Sequence, residues 1–224
     1  MTLPHDSRFG STLRLVLVVA LLSAAVGCAT TYYSFWERFG KEKRDLLRDN
    51  VEEVKEDQQD VREEFSSALE EVRTLYGLEA DELEAKYDTL KAHLESSEEQ
   101  AEALRERIDD IEQIAQDLFE EWEAETATFR NPSMRTDSRK KLQKTRQRYA
   151  RLEQALHRSE AKLDPVLQSL RDQVLYLKHN LNARAVGRLE IEAEDIEQQI
   201  QALITDLEQS ISETDAFIEQ LEEP

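Results

Sequence analysis

The sequence predicts an all-α protein, an elongated antiparallel bundle or coiled coil of long helices. Three observations carry this. The 224 residues include only five glycines and four prolines, too few breakers for an all-β sandwich or barrel. Charged residues make up 35% and hydrophobic residues 39% of the chain. The hydrophobic ones recur at alternating steps of four and three, which keeps them on one helical face. No repeat returns at a fixed period of roughly 20 to 50 residues, so a solenoid is not expected.

The elements follow in chain order. Residues 1–27 read as a leader. Arg8 and Arg14 outweigh Asp6, an apolar run extends from Leu15 to Leu22, and small residues lead to Cys28. So short a run, ending in small residues, is a secretory signal rather than a membrane span. With the cysteine at its end, the segment resembles a bacterial lipoprotein signal, although Ala25 stands where leucine is commoner. That resemblance implies acylation of Cys28 (palmitate among the chains) and cleavage before it. Ala29, in place of aspartate, then implies export to the outer membrane, with the protein facing the periplasm. Several acyl chains anchor firmly where one does not, at about 0.8 kcal/mol per buried methylene.

Residues 28–40 form a membrane-proximal segment containing Tyr32, Tyr33, Phe35, Trp36 and Phe39. Such rings suit the headgroup layer, and they equally suit a small core closing the end of a bundle. Residues 41–224 form the bundle. The first helix, about 41–76, carries Leu47, Val51, Val54, Gln58, Val61, Phe65, Ala68, Val72 and Leu75, with Gly77 to end it. The second, about 79–129, runs from Leu83 through Leu90, Ala101, Ile108 and Ala115 to Leu118 and Trp122. Asn131 as N-cap and Pro132 at the first helical position start the third. This helix, about 132–184, is expected to kink near 165, where the apolar spacing slips and Asp164-Pro165 forms a second cap-and-proline pair. The fourth, about 188–222, carries Ile196, Ile200, Leu203, Leu207, Ile211, Thr214, Ile218 and Leu221. Helices of about 35 to 50 residues run roughly 50 to 75 Å, and short connections make successive ones antiparallel.

Charge is partitioned by helix. The net charge is −20, from 49 acids and 29 bases, which disfavours nucleic acid as a partner. Yet Arg130 to Lys162 holds eleven bases and three acids, whereas Glu79 to Glu125 holds eighteen acids and four bases. Arg135, Arg139, Lys140, Lys141, Lys144, Arg146 and Arg148 therefore form a basic face. It either pairs with acidic neighbours and sets register, or meets an anionic envelope ligand: lipid headgroup, lipopolysaccharide or cell-wall polymer.

Chemistry is sparse. One cysteine supports neither an internal disulfide nor a cysteine-based zinc site. The residues three before His93, His157 and His179 are Leu90, Gln154 and Tyr176, so the Glu-x-x-His pairs of a bundle metal site are missing. Glu153 and His157, one turn apart, make an ordinary helix contact. No phosphate loop, HExxH or GxSxG occurs. No metal, cofactor, catalytic residue or small-molecule substrate is expected. A polar cluster near a predicted helix end, Tyr176, Lys178, His179, Asn180, Asn182 and Arg184, reads as cationic capping or as a patch at the bundle tip.

The strings LRDQVLYLKHNLNAR (170–184), EEFSSALEEV (63–72), KRD (43–45) and FEEWEAE (119–125) resemble an uncharacterised family of Gram-negative coiled-coil lipoproteins, DUF2959. The resemblance covers nearly all of the chain after the leader. It implies a coiled-coil envelope lipoprotein; read with the residues, the expected role is a non-enzymatic spacer, scaffold or interaction partner held to the membrane through Cys28. An envelope protein or a second copy is the expected partner. It brings no site residues.

Overall fold

The computed structural model describes residues 43–74, 83–180 and 189–222, with backbone only at 83, 180, 189–194 and 222. The leader, Cys28 and the five aromatic residues Tyr32, Tyr33, Phe35, Trp36 and Phe39 lie outside the described residues. Leu46–Pro224 forms one compact unit, and of the other, Met1–Asp45, only the last three residues are described.

The described residues form five helices: α1 Lys43–Thr74, α2 Leu83–Thr128, α3 Pro132–Glu160, α4 Leu163–Asn180 and α5 Leu189–Glu222. No strand occurs among them, and the fold is an all-α helical bundle. In α1 the apolar period buries Leu47, Val51, Val54, Val61, Phe65, Ala68 and Val72 completely. Burying a side chain such as Phe65 is worth about 1.5–3 kcal/mol. Facing residues on α2 include Leu90, Ala101, Leu104, Ile108 and Ile111, all within 1% of full burial.

Cross-helix pairs fix the topology. Lys86 meets Glu71, His93 meets Glu64 and Arg107 meets Glu53, so α1 and α2 run antiparallel. Glu123 with Arg146, Glu112 with His157, Arg105 with Asp164 and Glu98 with Arg171 join α2 to α3 and then to α4. The residue numbers in each of these four pairs add to 269, so α4 continues α3 in unbroken register as a single leg. α5 runs antiparallel to that leg through Ser169–Gln199 and Tyr149–Phe217, and antiparallel to α1 through Lys55–Asp215 and Arg73–Glu197. Each leg thus packs between two antiparallel neighbours, giving an up-down four-legged bundle.

The interruption of the third leg falls at Ala161-Lys162, and α4 resumes at Leu163, so Asp164 lies inside the first turn rather than at the cap. Pro165 explains the position. It has no N–H for the carbonyl four residues earlier, that of Ala161, and its ring crowds that group. The chain compensates locally. Ala161 N donates to His157 O at 3.0 Å, Lys162 N to Ser159 O at 3.2 Å, and Val166 N to Lys162 O at 3.4 Å. Asn131 does cap α3, its side chain accepting from Ser133 N at 2.9 Å and Met134 N at 3.4 Å.

Two stretches of seam rotate away from the expected positions. Near the end of α2, Phe119 and Thr126 are buried, while Leu118 and Trp122 are half-buried. On α5, Ser210 and Phe217 are buried in place of Ile211 and Ile218. On α2 the seam takes two successive steps of four, Ile111 to Ala115 to Phe119, as a drift of about 20° per heptad requires, whereas on α5 Leu203, Leu207, Ser210, Thr214 and Phe217 keep the strict alternation of four and three.

Candidate functional site

Within the core, polar groups are few and mostly paired. Gln58, fully buried on α1, donates to Ser210 Oγ on α5 at 2.6 Å, and Thr214 Oγ1 donates to Gln58 Oε1 at 3.4 Å. This is a polar layer joining two legs. A second cluster lies on the seam of α2 and α3. His157 Nε2 is 2.6 Å from Glu112 and Nδ1 is 3.0 Å from Glu160. The hydrogen bond to Glu160 and the charge of Glu112 raise the imidazole above its ordinary pKa despite partial burial. Burial raises the Glu112 carboxyl, against the attraction of His157. Beside them Tyr149, 7% exposed, packs edge-on against Phe119 and Phe217, and burial holds its phenol well above the usual range.

The basic face separates into two groups. Arg135 and Arg146 serve the hairpin itself. Arg135 Nε donates to Phe129 O at 3.1 Å, closing the turn between α2 and α3. Arg146 pairs with Glu123 at 2.9 Å, donates to Phe119 O at 3.3 Å and lies 5.6 Å over the Phe119 ring. Arg148 donates to the Gln220 carbonyl at 3.4 Å, and Lys141 sits 3.8 Å from Asp137 one turn back. Arg139, Lys140 and Lys144 are exposed and form no ion pair or hydrogen bond among the described residues. Arg139 also lines, with Glu123, Thr126, Leu142 and Arg146, an open groove of about 500 Å³ between α2 and α3.

The cluster expected near the end of the third leg is only partly described. Lys178 and His179 occupy the last turn of α4, exposed, where cations complement the unpaired carbonyls. Tyr176 is half-buried, and the side chains of Asn180, Asn182 and Arg184 lie outside the described residues.

The hairpin also contains polar contacts and an exposed apolar residue that helical periodicity does not supply. Trp122 Nε1 donates to Ser138 Oγ at 3.0 Å, and Ser138 shares a 2.7 Å hydrogen bond with Thr126. Met134, in the first turn of α3, is 53% exposed. A lone apolar residue in the first turn of a basic helix was the available signal for it. Among the described residues, no three His, Cys, Asp or Glu side chains could hold a metal ion. Nor is any described helix long and apolar enough to cross a membrane. Nothing among them points to catalysis.

Long antiparallel legs, an apolar seam and charges distributed by helix define a helical-bundle protein. Within that class, the chain belongs to the family described as protein of unknown function (DUF2959), whose model matches residues 32–221. No curated protein and no solved structure matches it.

Proposed function

We propose that this protein is a lipid-anchored bundle of the Gram-negative envelope, facing the periplasm from the outer membrane and serving as a spacer or interaction scaffold rather than as an enzyme. The supporting observation is how the bundle uses its residues. Apolar seams fill the core, and a buried polar layer within it joins two legs, Gln58 of α1 to Ser210 of α5. Much of the charge is likewise spent between legs, as in Glu98–Arg171 and Arg105–Asp164. Rigid legs with sealed cores suit holding and spacing. The leader and Cys28 supply the anchor in this reading.

The test has two parts. Labelled palmitate should enter the wild-type protein and not the Cys28→Ser variant; equal labelling, or none in either, removes the anchor. Crosslinking and mass spectrometry in intact cells should return an envelope protein or a second copy joined to lysines of the bundle. Turnover of a small molecule by the purified protein would overturn the scaffold assignment.

A second reading, capture of an anionic envelope ligand by residues 135–151, is favoured by one observation. Arg139, Lys140 and Lys144 stay exposed and unpaired among the described residues of a chain that carries 49 acids.

A further inference from the structure

We propose that the turn end of the α2–α3 hairpin is the surface with which this protein meets a membrane bearing anionic headgroups. The inference deepens the second reading above by naming the ligand and the contacting end, and it does not depend on acylation of Cys28.

The register of the legs locates that end. Arg148 and Tyr149 of α3 meet Gln220 and Phe217 of α5, so the last described turn of α5 is level with about residue 146. Glu53 and Asp57 of α1 meet Arg107 of α2, which places the start of α1 level with about residue 117. The hairpin between these levels reaches beyond the described ends of both legs. Fifteen residues, from 132 to 146, at a rise of about 1.5 Å each give roughly 20 Å of projection. Burial agrees: within this stretch of α3 only Leu142 is buried.

Charge separates the hairpin from the acidic legs, and the rest of the third leg, residues 147–180, is likewise net +2, with six bases and four acids. Residues 118–146 hold seven bases and five acids, a net of +2 in a chain of −20, so the other residues carry −22. Of these bases, Arg130, Arg139, Lys140 and Lys144 are exposed and without an ion pair or hydrogen bond among the described residues. Met134 lies among them at the turn. It is one of two large hydrophobic side chains that stand exposed among the described residues.

An anionic surface attracts nearby bases by about 1 kcal/mol each, and its potential decays over a Debye length, about 8 Å at physiological salt. A projection of roughly 20 Å exceeds two such lengths. The basic turn can therefore sit inside the surface potential while the acidic body stays outside it. A broadside approach through α1, α2 or α5 would bring acidic legs into the same field and be repelled. Met134 adds an apolar side chain to seat between headgroups. The contact orients the bundle on its hairpin end; it is too small to anchor it.

Flotation with vesicles tests this, using the full chain with Cys28→Ser so that acylation cannot contribute. Binding should be stronger to vesicles of equal parts phosphatidylcholine and phosphatidylglycerol than to phosphatidylcholine alone. It should weaken as salt is raised. The variant R139E/K140E/K144E should lose on the order of tenfold or more of the anionic preference, and M134D should lose several-fold. A control variant, R151E/R158E/K178E, changes charge equally on the same leg inboard of the hairpin and should stay within about twofold of the parent. Circular dichroism should show R139E/K140E/K144E and M134D melting as the parent does, and the control melting at most a few degrees lower, since Lys178 complements the carbonyls at the end of α4.

Equal binding to both vesicle types, or equal loss from both charge-reversed variants, overturns the proposal. So does binding of soluble polyphosphate that K140E and K144E abolish while M134D leaves vesicle binding intact, since the bases would then serve a polymeric anion. Failure of palmitate labelling in the wild-type protein would remove the anchor and leave this result standing.

Discussion

Glu112 of α2 stands 2.6 Å from His157 of α3, and one heptad earlier Arg105 of α2 stands 2.6 Å from Asp164 of α4. The two pairs share one register although the third leg is interrupted between them. Sign alternates along the α2 side from Glu98 to Arg105 to Glu112, and a slip of one heptad would bring like charges together. Each pair is partly exposed and worth under about 1 kcal/mol. Their effect is on alignment more than on total stability.

His157 should make stability depend on pH. Its pKa is raised in the fold by Glu160 and Glu112, so protons bind the folded state more tightly than the unfolded one. The contribution is complete below the unfolded histidine value, about 6.5, and is lost as pH climbs through the raised folded value. Melting curves from pH 6 to 9 should show the midpoint falling with pH in the wild-type protein and falling less in His157→Gln. With His157 half exposed, the difference should stay below about 1 kcal/mol. An identical slope in the two proteins would exclude this role.

The buried layer of Gln58, Ser210 and Thr214 should behave asymmetrically. Gln58→Leu removes the donor to Ser210 Oγ, while Thr214 Oγ1 keeps its 2.9 Å bond to the Ser210 carbonyl, and it should cost about 1–3 kcal/mol in denaturant unfolding. Adding Ser210→Ala and Thr214→Val should recover most of that loss, because no polar group then remains unpaired. Simple additivity of the three losses would mean that the layer does not act as a unit.

Two bases two positions apart on α3 should separate cleanly. Arg146→Glu removes a carboxylate pair, a carbonyl hydrogen bond and a stacked ring, and places an acid beside Glu123; about 1–3 kcal/mol should be lost. Lys144→Glu should fall within about 0.5 kcal/mol of wild type. Equal effects in chemical unfolding would argue against the division of the basic face.

Asn131→Ala should lower stability by about 1 kcal/mol, since the amides of Ser133 and Met134 lose their acceptor. Asn131→Asp should retain most of it. Hydrogen exchange at the first turn of α3 would report the same loss locally.

Much of the architecture was legible before any coordinates. Period and breaker placement are local properties, so the seam from Leu47 to Val72 and the cap at Asn131-Pro132 could be read from neighbouring residues. The seam was harder to place on α5, where apolar Ile211 and Ile218 stand beside the Ser210 and Phe217 that keep the strict alternation and enter the core. The division of the basic face could not be read at all. Arg146 and Lys144 look alike in sequence, and what distinguishes them is whether Glu123 and Phe119 on another leg lie within reach.

The sequence by itself determined that this chain folds as long amphipathic legs, because helix period, caps and breakers act within a few residues of one another. Only the tertiary structure decided that α4 continues α3 in one register, that Gln58 meets Ser210, and that the hairpin carries its unpaired bases past the described ends of its neighbours. Each of those depends on how far one leg slides along the next, and that displacement is set by contacts between residues far apart in the chain.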